Sequence, residues 1–242
     1  AGTTQHDETA GRQTDSGDDD QNGSVPSLFN VLGAGPAIGW AHDGDSVVQI
    51  NTARYGADGP GNAAYSLVVG PGGVDSGVDT TDGHSVWLYQ GPNGIIVGRE
   101  GSGADGSTPN PAGAIIFAIS IDSDGELTVV QYDSLHHPVS PNEFDEDIGL
   151  NTEALQVKLT LTDADGDSAS DTANIGNLVR FDDDGPKAKI SATGNSVQHD
   201  ETAGVQNPGS GADRDQSGPL PAAFSGILGT LIGWARSDSS VV

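Results

Sequence analysis

An internal repeat restricts the fold of this chain more than any other feature of its sequence. The heptapeptide Gln-His-Asp-Glu-Thr-Ala-Gly occurs at residues 5–11 and again at residues 198–204. Further matched stretches follow in the same order at offsets between 193 and 195 positions, and loop insertions between shared elements produce changes of that size. The sequence therefore predicts a tandem repeat. Residues 1–186 form one nearly complete repeat, whose first strand is missing or supplied by a neighbour, and residues 187–242 form the opening portion of the next.

Short alternating segments separated by turn residues fill most of the chain. Hydrophobic residues make up 34% of it and aromatic residues 5%, while 36 of its 242 residues are glycine, which suits many strands and turns around a thin core. Residues 155–161 alternate apolar and polar side chains, as a strand with one buried face does. The predicted strands span residues 46–53, 64–69, 85–90, 95–100, 114–121, 126–132, 154–162, 170–181 and 187–192.

One apolar stretch in each copy has the punctuation of a helix rather than a strand. It runs from Pro26 to Gly33 in the first copy and from Pro221 to Gly229 in the second, and proline near the start with glycine after the end marks a short helix. The absence of crossover helices disfavours a parallel α/β architecture. The expected fold class is all-β: an antiparallel β-sandwich, immunoglobulin-like or elaborated, with one short helix per repeat.

The charge of the chain limits its partners. Nine basic residues against 35 acidic ones give a net charge of −26, which disfavours nucleic acid and anionic membranes, because phosphate binding needs cationic side chains. No apolar run is long enough to insert into a membrane. With no cysteine, neither disulfides nor thiolate metal sites can stabilise the fold. Divalent cations are the natural counterions.

The segment Thr162–Asp167 carries the strongest metal-ligand pattern. Asp163, Asp165 and Asp167 alternate around Gly166, and Asp171 follows on the next predicted strand. Alternating carboxylates in a loop that glycine allows to curl can supply the oxygen ligands that Ca²⁺ prefers. The glycine is in the wrong place for an EF-hand loop. The alternative is a solvated hairpin turn.

A second acidic run, Asp182-Asp183-Asp184, lies at the junction between one repeat and the next. Three adjacent carboxylates repel one another unless a cation neutralises them, so we expect a calcium clamp at this junction. Its further ligands are expected from Asp7 and Glu8 in the first copy or Asp200 and Glu201 in the second. The alternative is a flexible acidic linker.

Other acidic groups are weaker candidates. Asp122 and Asp124 repeat the spacing of the first cluster but join two strong strands, as a plain hairpin turn would. The runs Asp18–Asp20 and Asp43–Asp45 are not kept in the second copy, so we interpret them as solvated surface.

The remaining polar residues do not indicate an enzyme. None of the six histidines has two companions at a ligand-like spacing, and the serines lack the strand and helix context of a hydrolase nucleophile. Trp40 and Trp234 stand in the repeated Ile-Gly-Trp-Ala stretches and are expected in the core. Side chains that could stack on sugars are Trp87, Tyr55, Tyr65, Tyr89 and Tyr132.

The ordered combination of motifs resembles the long tandem domains of giant repeats-in-toxin adhesins over essentially the whole chain. The motifs are residues 6–11, 38–40, 55–60, 73–77, 118–122, 131–138, 163–167 and 181–186. The resemblance implies calcium-stabilised extender domains of bacterial surface or matrix proteins, exported by type I secretion and found outside the cell, and it names no enzymatic activity. Neither the export signal nor the nonapeptide calcium repeat of such proteins is present in this sequence.

Two functions follow as expectations. Identical modules in series make a long spacer or filament, in which each repeat has neighbouring copies of itself as partners. The alternative is a module that binds glycans or a surface, where many copies make weak sites useful through multivalency.

Overall fold

Strands dominate the first part of the chain in the computed structural model. The structure describes residues 2–8, 12, 17–51, 53–138, 146–183, 188–194, 197–199, 216 and 235. Two compact units divide the chain, Ala1–Pro186 and Lys187–Val242, and the elements below belong to the first. The strands are β1 (Thr4–Asp7), β2 (Gly39–His42), β3 (Pro60–Val68), β4 (Val74–Asp79), β5 (Ser85–Gln90), β6 (Ile96–Glu100), β7 (Ile115–Ile121), β8 (Leu127–Gln131), β9 (Asp147–Gly149), β10 (Gln156–Asp163), β11 (Ser168–Asn174) and β12 (Val179–Asp182).

Three short 3-10 helices accompany the strands in the described part of the unit. They span Ser27–Leu32, Pro92–Gly94 and Gly176–Leu178. The first ends at Gly33, whose φ of 60° is the left-handed conformation that glycine adopts at low cost. None of the described helices has the length and apolar character needed to cross a membrane.

A six-stranded antiparallel sheet with the order β2-β8-β7-β6-β5-β4 organises the unit. Its central strands carry apolar residues on both faces. Successive side chains of a strand point to opposite faces, so Ile96, Phe117 and Val129 enter one core, while their neighbours Val97 and Ala118 enter the other. The sheet is therefore covered on both sides.

Two three-stranded sheets cover one face, with orders β11-β10-β3 and β1-β12-β9. Leu67 of β3, Val157 of β10 and Phe181 of β12 join the main core. The ring centroids of Phe117 and Phe181 lie 5.0 Å apart in a tilted arrangement, which is favourable for aromatic pairs. The opposite face of the six-stranded sheet packs against the segment that contains the first 3-10 helix, through Phe29.

The structure confirms an all-β, sandwich-like fold, and a short helix occurs at residues 27–32 as predicted. Seven of the predicted strands correspond to β3, β5, β6, β7, β8, β10 and β11, with shifts of a few residues. One strand pair departs from the antiparallel expectation, because β1 pairs with β12 in parallel. Sequence reasoning missed β1, β2, β4 and β9, which are short or rich in polar and glycine residues.

Three strand predictions are wrong in part or entirely. Residues 46–51 form no strand, since the Ser46 hydroxyl donates to the Val48 carbonyl and bends the backbone there. The single strand predicted at 170–181 divides into β11, a 3-10 helix and β12, because the chain passes from one sheet to another. The described residues 188–192 are exposed and lie in no strand.

We predict that Phe117→Ala lowers the free energy of unfolding by about 3–5 kcal/mol, because the ring is fully buried at the contact between sheets. Chemical denaturation measures the change. Val31→Ala, at a side chain that is 51% exposed, serves as the control and should cost less than about 1 kcal/mol. Equal losses for the two variants would contradict the assigned core.

Candidate cation sites

The turn between β10 and β11 brings carboxylates together. One oxygen from each of Asp58, Asp163 and Asp165 lies within 4.8 Å of the others. Asp163 also shapes the turn, since its Oδ1 accepts hydrogen bonds from the backbone amides of Gly166 at 3.0 Å and Asp167 at 2.7 Å. A hydrogen bond with the Asp165 carboxyl group, together with these amides, holds the pKa of Asp163 below its usual value.

Asp58 reaches this turn because the chain before β3 approaches it closely. The amide of Ala164 donates to the carbonyl of Gly59 at 3.2 Å. A Cβ at Gly61 would stand 2.3 Å from the carbonyl oxygen of Asp163, so the approach requires glycine there. We define Asp58, Asp163 and Asp165 as the hairpin triad. Its donors are all carboxylate oxygens, which suits a hard cation such as Ca²⁺.

Two predicted ligands of this cluster lie outside the hairpin triad. Asp167 closes the turn through its backbone, donating to Asp163 and accepting from the Asp163 amide at 2.9 Å. Asp171 stands in the middle of β11, and its carboxylate accepts from the Thr172 amide at 2.9 Å. Sequence reasoning missed Asp58, although its Asp-Gly-Pro context marks a turn.

A second group of carboxylates lines the parallel pair of β1 and β12. The ladder sets Asp7 opposite Asp182, two of the residues predicted to share a cation. Asp18 joins them and forms a hydrogen bond with the Asp182 carboxyl group. We define Asp7, Asp18 and Asp182 as the acidic seam. The Gln5 side-chain amide donates to Asp182, and the backbone amide of Asp183 donates to the carbonyl of Glu146 at 3.0 Å.

The carboxylates of the acidic seam repel one another, and this repulsion contributes to a raised pKa of Asp18. Burial, together with the nearby charges of Asp182 and Asp7, raises the pKa of Asp18 to about 6. Near neutral pH the seam therefore holds carboxylates at an energetic cost. A bound cation would remove that cost, and the oxygen-only donor set fits one.

Glu8, the predicted companion of Asp7, belongs to a buried polar cluster instead. Strand alternation turns Glu8 inward, where its Oε1 accepts from the side chain of Gln131 and from the amide of Leu135 at 2.8 Å. His137 is 2% exposed and its Nε2 lies 3.9 Å from the same oxygen. Burial would lower the pKa of His137, but the Glu8 carboxylate and the Asp183 charge raise it above its usual value.

The interpretation of Asp18–Asp20 as solvated surface is wrong. Asp20 is only 2% exposed and receives a 2.6 Å hydrogen bond or ion pair from Nδ1 of the buried His6. Asp19 accepts from the Gln5 amide at 3.0 Å. The backbone of residues 19–21 bonds to β1 and β2, which brings these carboxylates against the sheet.

The β7–β8 hairpin provides a third group. One atom from each of His42, Asp122 and Glu126 lies within 4.8 Å of the others, whereas Asp124 is absent from the group. The Asp122 carboxylate accepts from the amides of Asp124 at 2.9 Å and Glu126 at 3.0 Å, as in a tight turn. Nε2 of His42 lies 3.4 Å from Glu126. The predicted ligands Asp184, Asp200 and Glu201, the second helix and Trp234 lie outside the described residues.

Most of the aromatic side chains considered for sugar stacking are engaged in packing. The Trp87 indole donates to the Gly106 carbonyl at 2.9 Å, and the Tyr89 hydroxyl is buried. Tyr132 and Trp40 pack against the smaller core, and Trp40, which was expected in the core, is half-buried at its margin. Tyr65 packs at the edge of the main core and also lines a groove.

We predict that Asp18→Asn raises the melting temperature at pH 7.5 in excess chelator. A raised pKa means that folding favours the protonated carboxyl, so its stabilising effect is present below pH 3.8 and lost as pH rises through about 6. Removing the charge removes that penalty. Addition of millimolar Ca²⁺ should raise the melting temperature of this variant by less than it raises that of the wild type. Asp82→Asn is the exposed control, and equal behaviour of both variants would contradict the acidic seam.

We also predict that His137 contributes a pH-dependent part of the stability. Because its pKa in the folded protein is raised above 6.5, its contribution is full below pH 6.5 and is lost as pH rises through the folded value. His137→Gln should flatten the fall of the free energy of unfolding above pH 6.5. The neighbouring, exposed His136→Gln should leave that slope unchanged. A slope that is the same in all three proteins would refute the assignment.

Comparison with known proteins places the chain in a family without assigning a function. No curated protein matches it, and no solved structure matches it. One family model, described as a domain of unknown function (DUF5801), matches residues 3–176. Because that match spans most of the chain, including the strands that carry the hairpin triad and β1, the protein belongs to the DUF5801 family.

Proposed function

We propose that this protein is a non-enzymatic extender module of a large, secreted, calcium-stabilised bacterial adhesin or matrix protein. The observation that carries the proposal is the parallel pairing of the first and last strands of the unit, β1 with β12. Because both strands run in one direction, the chain enters at the Thr4 end of the pair and leaves at the Asp182 end. Entry and exit at opposite ends of one strand pair are compatible with a tandem array of such units.

Calcium is the proposed stabilising ion. The hairpin triad and the acidic seam each bring three carboxylates together in a chain of net charge −26. Asp182 of the acidic seam ends the last strand of the unit, and Asp183 and Asp184 follow it in the sequence on the way to the next repeat. A cation there would neutralise the charges of both strand ends and stiffen the connection. The location outside the cell and export by type I secretion are part of the proposal through the adhesin resemblance alone.

The alternative, adhesion by repeated weak glycan sites, has less support from the site. A sugar needs an exposed aromatic face, and Trp87, Tyr89 and Tyr132 are engaged in packing or hydrogen bonding. Tyr65 is the aromatic residue best placed for such a role, since it lines an open groove.

Thermal unfolding in Ca²⁺ and in excess chelator tests the calcium proposal. An extracellular-type site with a Kd of about 10⁻⁴ M adds about 1.4 kcal/mol at a tenfold excess of ion, or a few degrees in Tm for a unit of this size. Asp163→Asn should reduce the calcium-dependent shift, because the amide oxygen keeps the turn hydrogen bonds but removes the charge. Asp171→Asn on β11, outside the hairpin triad, is the matched control.

A melting temperature that does not change when chelator replaces Ca²⁺ would refute calcium stabilisation. An equal loss in the Asp163 and Asp171 variants would remove the hairpin triad as the site. Small-angle scattering of the same chain gives an independent reading, since a calcium clamp predicts a longer maximum dimension with the ion than without it.

A further inference from the structure

The sheet β11-β10-β3 is incompletely covered at one end. Along β10, Val157 is buried in the main core, while Leu159 and Leu161 on the same face are only half-buried. These leucines and Ala169 of β11 line an open groove of about 490 Å³, together with Tyr65. The other wall consists of residues 48–51 and Arg54, none of which lies in a strand. The groove is therefore an apolar strip of sheet surface without a covering element in the described part of the unit.

The edge of this sheet is open to another strand. Among the described strands, β11 pairs with β10 on one side and with none on the other. All seven of its residues are exposed, and Asp171 is its one charged residue. Such an edge presents a row of backbone donors and acceptors to any extended segment that arrives beside it.

The start of the unit lies beside this groove. The amide of Gly2 donates to the carbonyl of Ser46 at 3.2 Å, and Ser46 is two residues before Val48, where the second wall of the groove begins. The next residue, Val47, donates its amide to the carbonyl of Gly125. Gly125 in turn lies close to the Tyr65 ring of the groove, since a Cβ added at this glycine would stand 3.4 Å from the ring. In a tandem array, the residues that come before Gly2 would therefore join the unit close to the groove.

The repeat register identifies the segment that occupies this place. With Gln198 equivalent to Gln5, residues 187–193 are the seven that come directly before the equivalent of Ala1. Their sequence, Lys-Ala-Lys-Ile-Ser-Ala-Thr, alternates as a strand does, with Ala188, Ile190 and Ala192 on one face. The described residues 188–193 of this segment are exposed, and Ile190 is 97% exposed. An isoleucine so exposed has a large apolar surface left to bury.

Charge favours the same pairing. The segment contains two of the three lysines of the chain, Lys187 and Lys189, although the chain as a whole carries −26. Its length also fits, because a seven-residue segment matches the seven residues of β11.

We propose that the β11 edge receives a copy of residues 187–193 from another repeat, which adds as a fourth strand beside β11 and places Ile190 on the groove face next to Ala169. Adjacent repeats would thereby share a sheet as well as a connecting peptide. The inference rests on the proposed tandem arrangement for the source of the segment, but the binding event itself does not depend on calcium.

The test adds a synthetic peptide of residues 187–193 to the 242-residue chain carrying Ile190→Asp, so that the chain's own segment does not compete. Amide hydrogen exchange is followed by NMR at a fixed Ca²⁺ concentration. Saturating peptide should slow exchange of β11 amides at least tenfold, and a peptide with Ile190→Asp should leave it unchanged. In the recipient, Ala169→Arg on the groove face should abolish the protection. Ser170→Arg, its exposed neighbour on the opposite face, should preserve it within twofold.

Protected β10 amides show in each variant that the sheet remains folded. Absence of β11 protection by the wild-type peptide, or equal loss in the two arginine variants, would overturn the proposal. Slow, concentration-independent exchange of β11 in the wild-type chain that Ile190→Asp abolishes would assign the groove to the chain's own segment instead of another copy. Binding of oligosaccharides but not of the peptide would assign it to glycans. Loss of calcium stabilisation alone would contradict the proposed function and leave this result standing.

Discussion

Burial of the six-stranded sheet on both faces is the constraint on which the rest of the unit depends. A chain with so few aromatic and apolar residues cannot form two separate thick cores. The same central strands therefore contribute side chains to a core on each face of the sheet. Neighbouring residues such as Ile96 and Val97, or Phe117 and Ala118, serve opposite cores. The two small sheets and the segment with the first 3-10 helix then act as covers. Their positions fix where the acidic loops meet.

The two small sheets and the segments that join them bring carboxylates close together in the hairpin triad and in the acidic seam. The hairpin triad depends on glycine at position 61 for its close backbone approach. The acidic seam depends on the parallel register that sets Asp7 beside Asp182, and on the backbone of residues 19–21 that carries Asp18 inward. The cost of this crowding is seen in the raised pKa of Asp18. The proposed calcium sites and the proposed strand addition both follow from structural features that one unit leaves uncompensated: charge in the first case, apolar surface and a strand edge in the second.

Local patterns were sufficient for the strongly apolar or alternating strands. Apolar and polar side chains alternate in β10, whereas β5, β7 and β8 are nearly continuous apolar runs, and the bounds of all four agree with the sequence to within a few residues. The same reasoning failed at residues 46–51, where the apolar run is real but a serine hydroxyl diverts the backbone. It missed β1, because Thr4, His6 and Glu8 are polar residues buried in a polar cluster and give no hydrophobic signal. The predicted pairing of Asp7 with Asp182 came from their charge and place in the repeat, whereas the inward turn of Glu8 came from strand alternation in an element that the pattern did not reveal.

Composition, periodicity and the repeat were enough to establish an all-β chain of turns and short strands with strong negative charge, because these are properties of neighbouring residues and of their order. Which carboxylates meet was decided by the tertiary structure, since Asp58 and Asp163, or Asp18 and Asp182, are more than a hundred residues apart. Such pairs depend on sheet order and on the parallel register of β1 with β12, and neither is written in the spacing of residues along the chain.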